Sequence, residues 1–209
     1  MCQDAKAKVN DVYLNGQLCS GPDLLNKLMG LLIRFRRHKV AVSADIRNFF
    51  HMIHVAEEDI AALRFLFFKD ESMNEIIELE STVHIFGGSS SPSVANFTLK
   101  YHAGRIREKY GDEIYYLILQ SFYVDDFLHS FPTVEKAREM KIKLTAALLE
   151  GGFDLTKWAS SHPEVLIDPT PSHPTTSSKP QAESEVVEES GATAPVEPSP
   201  ASTVTDDED

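Results

Sequence analysis

The chain has 209 residues, 42% of them hydrophobic, enough for one domain of about 100–200 residues with a real core, or for one domain plus a tail. Its net charge of −12 is unevenly spread: residues 160–209 hold 11 acidic side chains and one basic one, which leaves the first 159 residues at −2. Two cysteines exclude a disulfide scaffold, and no apolar run approaches the roughly 18 residues of a membrane span, so the expectation is an intracellular protein, cytoplasmic or nuclear, without a membrane partner.

Residues 1–20 are weakly patterned, and Leu14-Asn15-Gly16 reads as a turn. Gly21-Pro22-Asp23 predicts the start of a helix whose core positions are Leu24, Leu25, Leu28, Leu31, Leu32 and Phe35. It runs into Arg34, Arg36, Arg37, His38 and Lys39, cations that serve either the C-terminal helix dipole or a phosphate-facing patch. Val40-Ala41-Val42-Ser43-Ala44-Asp45 reads as a strand ending on a carboxylate, a position where open α/β sheets often carry site residues.

A short helix is expected from Glu57 to Leu63, then a strand over Phe65-Leu66-Phe67-Phe68. Residues 76–79 and 82–86 read as two further strands of a hairpin. Gly87-Gly88-Ser89-Ser90-Ser91-Pro92 feeds a helix over 92–109; such a loop cradles a phosphate or simply connects, and it lacks the P-loop lysine. Residues 114–119 lead into strands 120–124 and 127–131, Thr133 to Glu150 reads as an amphipathic helix closed by Gly151-Gly152, and 153–158 as a last strand. No aromatic residue follows Trp158, and the Pro/Ser/Thr/Glu-rich composition of 167–209 predicts a disordered acidic tail.

In the stretch Phe122-Tyr123-Val124-Asp125-Asp126-Phe127, two carboxylates interrupt an aromatic, β-branched run, which predicts the tip of a tight hairpin. Alone, the pair is either a solvated turn or a site for a cation that relieves the repulsion, with oxygen donors suited to Mg²⁺ or Mn²⁺. The predicted elements run βαββαβ, the order of a ferredoxin-like split unit with strands inserted after the first strand. In that topology the end of the first strand adjoins the tip of the central hairpin, and Asp45 meets Asp125 and Asp126. Three such carboxylates meet the need of a two-metal displacement at phosphorus. His51, His54 and His84 are not spaced as a metal set.

Ala44-Asp45-Ile46-Arg47-Asn48-Phe49-Phe50-His51, Phe86-Gly87-Gly88-Ser89-Ser90-Ser91-Pro92 and Phe122-Tyr123-Val124-Asp125-Asp126 resemble polymerase motifs A, B and C of reverse transcriptases, in that order. The flanks, among them Leu14-Asn15-Gly16, Gly21-Pro22-Asp23-Leu24 and Gly151-Gly152-Phe153-Asp154-Leu155-Thr156-Lys157-Trp158, look like the BEL/Pao group of LTR retrotransposons, and the resemblance covers residues 4–166. It implies an α+β polymerase palm with partial fingers: residues 1–39 as an N-terminal segment and helix, 40–166 as the palm, 167–209 as the tail. The implied activity is RNA-directed DNA polymerase, with an RNA/DNA template-primer and deoxynucleoside triphosphates as partners and no oligomeric state specified.

By position, the resemblance makes Asp45, Asp125 and Asp126 the catalytic carboxylates, holding two Mg²⁺ ions (or Mn²⁺) together with the Ile46 carbonyl. It puts the backbone of Asn48 and Phe49 at the triphosphate, Phe50 under the deoxyribose where it excludes a 2′-hydroxyl, Gly87 near the templating base, and Lys157 at the leaving pyrophosphate. Phe86 stands where many reverse transcriptases carry Gln, as suits the BEL/Pao subgroup. With fingers incomplete and thumb and RNase H segments missing, little synthesis by the isolated chain is expected. The alternative is a non-catalytic retroelement remnant or a recruited binding protein.

Overall fold

Val40–Ile46 forms strand β1, whose alternation decides which way the sheet faces. In the computed structural model, which describes residues 4–167, Val40, Val42, Ala44 and Ile46 are buried, while Ala41, Ser43 and Asp45 are half-buried on the opposite face. Successive strand side chains leave opposite faces, so the apolar set enters the core and Asp45 is held away from it. β1 runs antiparallel to both neighbours, β5 (Asp126–Phe131) and β6 (Leu155–Ser160). With the short β4 (Phe122–Tyr123) outside β5, the sheet order is β4-β5-β1-β6. A separate two-stranded sheet pairs β2 (Arg64–Phe68) with β3 (Ile76–Glu80), so the fold is mixed α/β with antiparallel sheets.

Two helices cover the apolar face of the larger sheet. Leu99, Ala103, Ile106, Ile114 and Ile118 of α3 (Ser91–Ser121) meet Ala137, Met140, Leu144, Ala147 and Leu148 of α4 (Val134–Leu149) above Val42, Ile46, Phe127 and Phe131. Each fully buried side chain of Leu or Ile size contributes about 1.5–3 kcal/mol of transfer free energy, so this layer dominates the stability. α4 is delimited as its sequence predicts. The Thr133 hydroxyl accepts the Lys136 N–H at 3.2 Å, and at the other end the Phe153 N–H returns to the Leu148 carbonyl past Gly152 at φ 81°. Gly151 is needed for closeness: a Cβ there would stand 2.7 Å from the His102 imidazole, which hydrogen-bonds the Ala147 carbonyl at 2.8 Å.

The other sheet face is covered at the β5 end by α2 (Leu28–Phe35), which is stitched down by side-chain to backbone bonds. Fully buried Ser130 accepts from the His38 N–H (3.0 Å) and donates to the Arg34 carbonyl (3.1 Å). Arg34 itself donates to the Gln120 carbonyl at 2.7 Å, so one of the five cations expected at the helix end supports the C-terminal turn of α3 rather than its own helix.

Three sequence expectations are corrected. The helix predicted from Pro22 starts only at Leu28, because the preceding backbone is engaged elsewhere. Asp23 accepts the Leu25 N–H, Lys100 donates to the Leu24 carbonyl at 2.5 Å, and Asn26 donates to the carbonyls of Leu119 and Phe122. Residues 82–86, expected to pair with 76–79, form no strand: β3 pairs with β2 instead, and Val83 makes only an isolated bridge to His54. Residues 114–119, read as leading into a strand, are helical. Ile114, Leu117 and Ile118 bury at helical spacing, α3 runs on to Ser121 across a break at Gly111 (φ 84°, ψ 169°), and β4 shrinks to two residues. The strands expected at 40–45, 127–131 and 153–158 are present within two residues of those limits, and the tail predicted over 167–209 lies, Ile167 apart, outside the described residues.

Leu144→Ala empties a site of zero exposure between helices and sheet, and is expected to cost about 2–5 kcal/mol, read as a lower urea midpoint at unchanged slope. A second expectation concerns His129, whose ring lies between Phe127 and Phe131 with Nδ1 2.9 Å from the Ser121 hydroxyl. Burial, and then the nearby His38, Arg34 and Arg37, push its pKa down to about 4. Between its ordinary value near 6.5 and about 4, the unfolded chain therefore binds a proton that the folded chain refuses, so stability is full above that window and falls as pH drops through it. Urea midpoints at pH 7 and pH 5 should converge in His129→Gln relative to the parent protein.

Candidate active site

The end of β1 and the start of β5 define the site. Asp45 and Asp126 are direct partners across the antiparallel pair, so both carboxylates leave the same face, with Cβ atoms about 4.5–5.5 Å apart. Because Tyr123 pairs with Asp126, the connecting turn consists of Val124 and Asp125. The expected hairpin tip is thus occupied by one aspartate, while the other opens the strand. The Asp125 carbonyl accepts the Ile46 N–H at 2.9 Å, tying the turn to the end of β1, where Ile46 itself is buried. Val124 adopts φ 57°, a left-handed conformation that costs an L-residue roughly 1–2 kcal/mol and is rarest for β-branched side chains.

The arrangement concentrates negative charge. Loss of hydration raises the Asp126 carboxyl above its ordinary value, the neighbouring Asp125 and Asp45 raise it further, and Lys157 opposes them. Lys157 Nζ stands 3.2 Å from an Asp45 carboxylate oxygen. It arrives there through a bulge: Ser43 faces Ala159 and Asp45 faces Thr156, so Lys157 and Trp158 together stand opposite Ala44. Trp158 packs edge-on to Phe127 at 6.0 Å, and Lys157 takes φ 51°. With the Lys157 side chain 76% exposed, its ion pair returns only about 0–1 kcal/mol, no more than the backbone conformation costs. Carboxylate oxygens suit Mg²⁺ or Mn²⁺. Among the described residues, no three His, Cys, Asp or Glu side chains form a ready metal-holding group.

A second group surrounds the first turn after β1. Asn48 is exposed at φ 51° and precedes a 3₁₀ turn, Phe49–Met52. Phe49 is core, with ring centroids 5.7 Å from Phe50 and 5.8 Å from Phe153. Phe50 is 9% exposed and meets the ring of the more exposed Phe86 edge-on at 5.0 Å. Phe86 leads into Gly87, exposed at φ 87°. The loop is gripped by a side chain that sequence reasoning passed over: Asn15 donates to the Gly87 carbonyl (2.8 Å) and accepts the Ser89 N–H (2.7 Å). Asn15 reads only as part of the Leu14-Asn15-Gly16 turn; it lies in a single helical turn, α1 (Leu14–Gln17), and nothing local marks its grip on partners so far away in sequence. Asp45, Asp125, Asp126 and Lys157 therefore come together around one strand end, while Phe50 and Gly87 belong to the adjoining loop group. No hydrogen bond or ion pair joins Asn48 or Gly87 to the carboxylates among the described residues.

The raised Asp126 carboxyl gives a measurable sign. A carboxyl raised in the folded state is stabilising only while protonated, and that stability is lost as pH rises through its folded pKa. In metal-free buffer Asp126→Asn is therefore expected to melt higher than the parent protein at pH 7, the difference closing below about pH 4.

No described protein family matches the chain, and no curated protein matches it. Among solved structures it is similar to the foamy viral protease-reverse transcriptase in complex with RNA/DNA hybrid, with a TM-score of 0.49 and 20% identity over 65% of this chain and 16% of that one. At that distance the likeness carries no inference about function, which rests on this chain's own residues.

Proposed function

We propose that residues 40–166 are the palm of an RNA-directed DNA polymerase of the BEL/Pao type, extending a primer 3′-hydroxyl by nucleotidyl transfer. The observation that carries this reading is the pairing of Asp45 with Asp126 across β1 and β5, with Asp125 in the turn bonded back to Ile46. It is supported by the order of the three motifs along the chain. Asp45, Asp125 and Asp126, with the Ile46 carbonyl, would hold two Mg²⁺ ions, or Mn²⁺. Such ions, when bound, would supply activation of the attacking hydroxyl and neutralisation of the leaving pyrophosphate.

The remaining roles fall to the chain's own groups. The left-handed turn at Asn48 leaves that residue exposed beside the strand end, where backbone amides of Asn48 and Phe49 would meet the triphosphate of an incoming deoxynucleotide. Phe50, backed by Phe86, would offer an apolar wall under the sugar that excludes a 2′-hydroxyl by simple sterics, and that group is what separates RNA from DNA precursors. Gly87, held by Asn15, would lie along the templating base of an RNA/DNA template-primer, and Lys157 beside the departing pyrophosphate.

The test joins calorimetric titration with Mn²⁺ to primer extension on an RNA template with deoxynucleoside triphosphates and Mg²⁺. Saturable Mn²⁺ binding that disappears in Asp45→Asn and Asp126→Asn is expected, and the little incorporation expected of the isolated chain should fall by at least a further ~10–100-fold in Asp125→Ala. A parent protein that binds no Mn²⁺ sinks the reading, whereas binding without any extension favours the non-catalytic remnant.

A further inference from the structure

We propose that Lys157 is an internal counter-cation of the carboxylate site, occupying Asp45 in the metal-free protein and competing with a divalent ion for it. The inference rests on the metal-binding reading above and adds to it a residue that sets the site's affinity.

The bulge carries the argument. In an uninterrupted ladder the residue after Thr156 would face the core opposite Ala44. The extra residue lets Trp158 take that core position against Phe127, and releases Lys157 to the face that carries Asp45. A bulge whose first residue is left-handed ordinarily has glycine there; this one has lysine at φ 51°. A side chain is thus kept at a position where its absence would relax the backbone, and its ammonium lies 3.2 Å from an Asp45 oxygen. That distance is ion-pair contact with one of the atoms proposed to coordinate metal. An Asp45 oxygen cannot both hold the ammonium at this distance and bind a divalent ion along the same direction, so a metal that takes Asp45 Oδ1 there displaces Lys157, and one bound through Oδ2 still meets the repulsion of the adjacent ammonium. The displacement is unhindered, since the lysine side chain is 76% exposed and its flexible stem reaches solvent directly.

The experiment is Mn²⁺ titration of the full chain by calorimetry, comparing the parent protein with Lys157→Met and Lys39→Met. Lys39 precedes β1 at its opposite end, about 20 Å away by strand rise and beyond a Debye length of about 10 Å, so its removal controls for net charge. Lys157→Met is expected to tighten Mn²⁺ binding by about 3–10-fold, the scale of one unit charge at contact distance in a solvated site, while Lys39→Met leaves it unchanged. Melting curves in EDTA separate the structural alternative: a lysine that merely completes the bulge changes the melting temperature without changing the Kd. Equal Kd values for all three proteins, or weaker binding by Lys157→Met, overturn the proposal and leave the metal site standing. Absence of Mn²⁺ binding in every protein overturns both.

Discussion

Two like charges, Asp45 and Asp126, are held face to face by the backbone register of β1 and β5, and much of the molecule exists to hold that register. Directly opposed like charges destabilise a strand pair, and a one-residue slip would relieve them only by turning the apolar set of β1 outward. Burial of Val40, Val42, Ala44 and Ile46 under α3 and α4 outweighs the repulsion many times over. The core thus imposes the charge pair, and Asp126 registers it in part: lost hydration first, then Asp125 and Asp45, hold its carboxyl above the ordinary value.

Strain gathers at the same place. Of the six non-glycine residues with positive φ among the described residues, Asn48, Val124 and Lys157 surround the end of β1: one just after it, one in the turn bonded to it, one in the bulge beside it. The others, Asn10, Asp11 and Met73, lie outside this region of the sheet. Left-handed residues persist where surrounding structure over-determines them, and such positions concentrate at functional sites. Here the over-determination is visible, in the bond from Ile46 to Asp125, the pairing of Asp45 with Thr156, and the packing of Trp158 on Phe127.

Long-range bonds from side chains to backbone complete the support. Asn15 fixes the loop that carries Phe86 and Gly87, Asn26 joins the end of α3 to β4, and buried Ser130 ties α2 to the sheet. Each satisfies main-chain groups that the irregular segments leave without ladder partners, which lets a short N-terminal stretch with little regular structure pack firmly beside the site.

The sequence by itself determined whatever depends on local periodicity and turn chemistry. The strand at 40–45, the start of α4 at Thr133 and its stop at Gly151-Gly152, and a tight turn around Asp125 were legible there, and with them the approach of Asp45 to Asp126. Tertiary structure alone decided the rest. Ile114 to Leu119 has strand-like residues but helical burial, the backbone before Leu28 forgoes helix bonds for tertiary ones, and residues 82–86 lose their partner to β2. Lys157 reaches Asp45 only through a bulge, a two-against-one mismatch between strands more than a hundred residues apart, and Asn15 reaches its loop across 72 residues. Neither leaves a local trace, because what fixes them is the free energy of contacts that exist only once the sheet and its helices have closed.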